Sequence, residues 1–127
     1  MTEPRYYIVG VVPVKFVPRP DGGLAVMKMN GDTGAFELDG RLYDRIHYAR
    51  DGVDALSRDK FIQYVEAERA HSLSGEGPLF SLYALMNGIE DVARDEGRGL
   101  TPDEDALIAE LRRKSHELFQ AAHPDPI

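Results

Sequence analysis

Apolar and polar positions alternate along the first 56 residues of the chain and then change to helical spacing. In Val12-Pro13-Val14-Lys15-Phe16, the residues Val12, Val14 and Phe16 share one face at period two, which predicts a strand. Pro13 has no N–H to give to a ladder, so its expected place is a sheet edge or a bulge. Pro18-Arg19-Pro20-Asp21-Gly22-Gly23 is turn chemistry: proline fixes φ, aspartate bonds nearby backbone, and glycine supplies positive φ. A second strand follows over 24–29, with Leu24 and Val26 on one face and Ala25, Met27 and Met29 on the other. Two apolar faces predict cover on both sides, or contact of one face with another subunit. Ala35-Phe36-Glu37-Leu38 alternates as a third strand. Leu42, Ile46 and Tyr48 at even spacing predict a fourth over 41–48, although Asp44 interrupts its apolar face. The short 53–56 piece is expected to pair with it across Arg50-Asp51-Gly52.

From Ser57 the period lengthens. Ser57 suits the N-cap of a helix carrying Phe61, Ile62, Tyr64 and Val65 on one side. Ser72-Leu73-Ser74-Gly75-Glu76-Gly77 breaks the chain, and Pro78 fits a first helical position. The next helix carries Leu79, Leu82, Leu85, Met86, Ile89, Val92 and Ala93, and stops near Gly97 and Gly99. At about 100° per residue these cover close to half its circumference, which predicts burial on two sides. Thr101-Pro102-Asp103-Glu104 combines an N-cap, a first-turn proline and the Glu of a capping box. Leu107, Ile108, Leu111, Ser115, Leu118, Phe119 and Ala122 then form a stripe in which Leu111 and Leu118 are the expected core. The tail 123–127, with two prolines, does not continue a helix. Strands first and helices after predict an α+β protein. Its parts are an antiparallel meander of three to five strands in 1–56 and three helices over 57–122 packed on one face, in a single domain of 127 residues.

Charge sharpens this picture. The net charge is −7, with nine Lys/Arg against nine Asp/Glu in residues 1–60 and six against thirteen in 61–127. A phosphate-backbone partner needs clustered Lys/Arg, so nucleic acid is not expected. An acidic helical half is either a solvated surface or a face for a basic protein partner. Arg112-Arg113-Lys114 points in three directions around its helix and makes no basic patch. There are no cysteines, which removes disulfides, thiolate metal sites and Cys nucleophiles. No run approaches the roughly 20 apolar residues that cross a bilayer, and the N-terminus lacks a signal-peptide pattern. A cytoplasmic protein without membrane contact is the expectation.

Four motifs raise specific chemistry. Asp32-Thr33-Gly34-Ala35 matches the catalytic loop of aspartic proteases, but the residues before it are Asn30 and Gly31. A protease aspartate ends a buried strand, whereas Asn-Gly between apolar strands is a hairpin signal. Ser57-Arg58-Asp59-Lys60 has SxxK spacing without the accompanying S-D-N and K-T-G motifs, and the cap role accounts for Ser57. Gly75-Glu76-Gly77 and Gly97-Arg98-Gly99 complete no phosphate-binding pattern. His47, His71, His116 and His123 show no metal-ligand spacing, so neither metal nor cofactor is expected. Of these, His47 has neighbours for acid–base work: Tyr43, Arg45 and Tyr48, with Asp44, Arg50 and Asp51 close by. The same residues also describe an outward polar face. Two functions stay open. One is a non-catalytic module that binds a second copy of itself or another protein; the other is a small enzyme or ligand-binding protein with a pocket at Tyr43, His47, Tyr48 and Arg45.

Overall fold

The structure, a computed structural model, describes residues 3–48 and 51–127. Five strands form one antiparallel sheet: β1 (Arg5–Val9), β2 (Val12–Pro18), β3 (Leu24–Met29), β4 (Phe36–Leu38) and β5 (Val53–Leu56), in the order β4-β3-β2-β1-β5. The described residues also form four helices: α1 (Leu42–Tyr48) between β4 and β5, then α2 (Arg58–Ser72), α3 (Pro78–Asp95) and α4 (Pro102–Ala122). The chain is therefore α+β, with the meander first and three long helices after it.

The expected fourth strand over 41–48 is instead the helix α1. Leu42 and Ile46 satisfy both a period of two and a helical repeat of four, and Asp44, which broke the strand reading, breaks nothing on a helix. Asp39 starts the turn: its carboxylate accepts from the Arg41 backbone at 3.2 Å, and its carbonyl from Leu42 at 3.4 Å. With 41–48 helical, β5 takes a different partner. It pairs with β1, placing Val9 opposite Val53 and Tyr6 opposite Leu56. Of the turn expected before it, Arg50 lies outside the described residues.

Alternation gives the sheet two apolar faces, and the chain itself covers both. Ile8, Ala25, Met27 and Phe36 pack against Phe61 and Val65 of α2. On the opposite face Val14, Phe16 and Val26 pack against Ile46 of α1. The two-faced strand β3 is thus satisfied without a second subunit. Pro13 lies in an interior strand, contrary to the edge expected for it. Its place is tolerated because the β2–β3 register begins at Val14 opposite Lys28, beyond the proline.

Outside α2 lie α3 and α4, around a cluster of Ala70, Tyr83, Met86 and Ile108. Each long helix starts on the signal its sequence carries. The Ser57 hydroxyl accepts from the Lys60 backbone at 3.2 Å, Pro78 opens α3, and Thr101 and Glu104 form a complete capping box. In α4 the core residues are Ile108, Ser115 and Phe119. Leu118, expected in the core, is 41% exposed. It lies on the flank of the stripe, and the inward face runs through 108, 115 and 119. Among the described residues no helix is long and apolar enough to cross a membrane.

Candidate functional site

The 30–35 segment is a closed turn between β3 and β4. Asn30 organises it: its side-chain oxygen accepts from the backbones of Asp32 (2.8 Å) and Thr33 (3.2 Å), and its carbonyl from Gly34 (2.7 Å). Asp32 is exposed, so this motif has no protease geometry. Gly34 is buried at φ 74°, and a Cβ there would lie 2.8 Å from Leu73 Cδ1. Only glycine fits that backbone and that gap.

The histidine region folds into a stacked column on α1. The Tyr43 ring lies 5.8 Å from Phe16 at an interplanar angle of 19°, and 5.5 Å from His47 at 13°. His47 also meets Tyr48 edge-on at 4.6 Å. Tyr43 and His47 line a cleft of about 460 Å³ together with Arg5, Tyr7, Phe16 and Ile46. Two of the four residues singled out here do not line it. Tyr48 is 76% exposed, and Arg45 donates to the Asp51 carbonyl. The cleft offers stacking area and one guanidinium, which suits a flat or anionic ligand. A larger depression of about 650 Å³ runs along β1 and β5 from Glu3 to Tyr7 and Ala55 to Arg58.

A second cluster, absent from the sequence reading, lies where the turn, α2, α3 and α4 meet. Glu66 and Arg69 of α2 are fully buried and bonded at 2.7 Å. Glu66 also accepts from Ser115 (2.6 Å) and Tyr83 (3.1 Å), and His116 Nδ1 lies 3.3 Å from it. Arg69 donates to Gly34 and Gln120 and stacks 3.7 Å from the Phe119 ring centroid. Burial opposes ionisation of Glu66, yet the bonds from His116, Ser115 and Arg69 and the Arg69 charge hold its carboxyl below the usual range. Burial, with the charge of Glu66, pushes the Tyr83 phenol up. Every oxygen of Glu66 is committed to a protein donor, so the cluster is a structural bolt rather than a free acid or base. The signal for it was present in the helical repeat. Glu66 and Arg69 sit four and seven residues after the buried Ile62, on the inward face of α2.

A third feature adjoins the bolt. Lys15 of β2 points to the α2 side of the sheet, where its neighbours Met27, Phe36 and Phe61 are apolar. Its ammonium lies 2.6 Å from Asp125 of the tail and 4.1 Å from the Phe36 ring centroid. Burial pulls the Lys15 amine below its ordinary value, and Asp125 offsets part of that.

The remaining surface feature is apolar. On α3, Tyr83, Met86 and Ala93 are buried, whereas Leu85 and Val92 are 49% and 52% exposed. On α4, Leu107 is exposed beside the half-buried Leu111. Among the described residues, no group of three or more His, Cys, Asp or Glu is placed to hold a metal ion. No protein-family model, no curated protein and no solved structure matches this chain.

Proposed function

We propose that the protein is a non-catalytic module that associates with a second copy of itself through the outer face of α3. The observation that carries this reading is the stripe Leu82, Leu85, Ile89 and Val92. Its 3-4-3 spacing is that of a helix-pairing seam, and its members are half-buried or exposed within one chain. Charge favours a like partner: residues 78–89 contain no charged side chain, so a basic protein finds nothing there to pair with. Ser81, Ala84 and Gly88 add small residues along the same exposed side and permit close approach of another helix. An antiparallel pair about a twofold axis is the simplest closed arrangement.

Sedimentation velocity across a dilution series tests this. The expected outcome is a dimer that dissociates on dilution, and a monomer at all concentrations after Leu85→Glu with Val92→Glu. A wild-type chain at monomer mass throughout the micromolar range overturns it.

A second reading rests on the Phe16–Tyr43–His47 stack beside its cleft. It makes this a small-molecule-binding protein, or a small enzyme, with an aromatic or anionic ligand. Titration with indole, followed by NMR of the Tyr43 and His47 rings, checks it. Saturable shifts support the reading, and their absence at millimolar ligand removes it.

A further inference from the structure

We infer that the cleft around Lys15 is a carboxylate-binding site, filled in cis by Asp125 and open to a carboxylate ligand in trans when the tail leaves. A lysine at an inward position of an interior strand is costly without an anion, because its side chain is only 8% exposed. The anion it receives comes from a segment that is otherwise superficial. His123, Pro124, Pro126 and Ile127 are all exposed, and Asp125 alone reaches in, its side chain 19% exposed. One carboxylate oxygen meets Lys15 Nζ at 2.6 Å, and the other accepts from Gln120 Nε2 at 3.1 Å. Two donors on the two oxygens of one carboxylate constitute a recognition geometry rather than a chance surface pair.

The site has room beside its occupant. A cleft of about 420 Å³ opens there, with Lys15, Gln120, His116, Arg58 and Glu117 around an apolar floor of Phe61 and Ile62. Lys15 and Arg58 supply positive charge against the one carboxylate of Glu117, and the floor offers area to whatever carries the bound carboxylate. Pro124 and Pro126 fix φ on either side of Asp125, and the Ile127 N–H closes a tight turn onto the Asp125 carbonyl at 2.8 Å, so the tail presents its carboxylate at reduced entropic cost. The tail is exchangeable because its inward contacts are few: the Asp125 carboxylate, and the His123 ring 4.7 Å from Phe119. A free small acid and an acidic peptide share the required group.

The experiment uses the full chain carrying Asp125→Ala, with Asp125→Asn as a second variant that keeps side-chain volume. Each is titrated with sodium acetate and with the blocked peptide His-Pro-Asp-Pro-Ile, and backbone amide shifts near Lys15 and Gln120 are followed. Sodium chloride at equal ionic strength is the control. Saturable binding is expected in both variants, at least tenfold tighter than in the wild-type chain, and lost when Lys15→Met is added. A peptide at least tenfold tighter than acetate identifies a peptide source, and equal affinities identify a free small acid. No saturable shift from either probe in a folded variant, or binding that survives Lys15→Met, overturns the inference.

Discussion

Arg69 donates twice to one acceptor, the Gly34 carbonyl oxygen, through Nε at 2.9 Å and Nη2 at 2.7 Å. A turn of the sheet half is thereby fastened to a helix of the other half. The third nitrogen of the guanidinium holds Glu66, so one side chain joins the β3–β4 turn to the Glu66 cluster.

Removing that side chain leaves Glu66 buried without its cation and Gly34 without its donors. Arg69→Ala is expected to destabilise the fold by about 3–5 kcal/mol, the range for breaking a buried pair from one side. Arg69→Lys keeps the charge but loses the paired hydrogen bonds to the Gly34 carbonyl, and should fall between Arg69→Ala and wild type. Urea unfolding at pH 7 measures all three chains, and an Arg69→Ala loss below about 1 kcal/mol contradicts the bolt.

Acid should unfold the protein through depressed carboxyls. Hydrogen bonding and charge from Arg41 hold Asp39 at about 2. Arg98 and the Thr101 backbone hold Glu104 at about 2 as well. Glu66 is lowered too. A carboxyl whose folded value lies below its unfolded one contributes stability that is complete above about pH 4 and is lost as pH falls toward about 2. The urea midpoint is expected to stay level from pH 7 to pH 5 and to drop between pH 4 and pH 2. Asp39→Asn with Glu104→Gln should flatten part of that drop. A drop unchanged in the double variant disproves the assignment to these groups.

Packing on α4 separates two leucine-sized side chains. Ile108 is buried and Leu118 is 41% exposed. Ile108→Ala should cost roughly 2–5 kcal/mol through lost transfer energy and a cavity, and Leu118→Ala less than about 1 kcal/mol. Thermal melts that show equal losses contradict the orientation of the helix.

Gly88 gives a prediction with opposite signs. It sits inside α3, and a Cβ added there meets nothing within 4 Å in the chain. Gly88→Ala should therefore stabilise the monomer by about 0.5–1 kcal/mol, as helix propensity dictates. If α3 pairs with a second α3, the same methyl should weaken association. Melts at high dilution and sedimentation at high concentration read the two effects, and unchanged association counts against the proposed face.

In the turn, Asn30 and Asp32 should differ. Asp32 is exposed, and its Ala variant is expected to lie within about 0.5 kcal/mol of wild type. Asn30→Ala removes the acceptor of two backbone N–H groups and should cost about 1 kcal/mol. A larger loss at Asp32 than at Asn30 in urea unfolding reverses this account.

Local signals explain which parts of the fold were legible in the sequence. Caps at Ser57 and Thr101 act through residues three positions away, so they can be read from a short window. The 41–48 segment misleads because Leu42 and Ile46 suit both periods, with Tyr48 fitting only the strand, and the choice fell to what the sheet needed on its second face. Candidate chemistry was less legible for the same reason. Tyr43 and His47 were found as neighbours four apart, although the stack needs Phe16 from a distant strand. Lys15 and Asp125 stand far apart along the chain, and in Val14-Lys15-Phe16 the lysine holds an ordinary polar place, so only the cover on the second face of the sheet reveals its burial and its anion. Glu66 and Arg69 lie on an inward helical face, but their partners Gly34, Ser115 and His116 come from distant parts of the chain that no local window joins to α2.

The pairing of β5 with β1 sets an order of events. β1 acquires its second neighbour only after β2, β3, β4 and α1 have been made. Until then its free side is an unpaired edge in a nascent chain, the kind of surface that recruits foreign strands. Completion of the sheet is thus tied to the same stretch of translation that delivers Ser57 and starts α2. This sheet gains β5 and the helix α2 that covers its face almost together, so the exposed interval ends in one step.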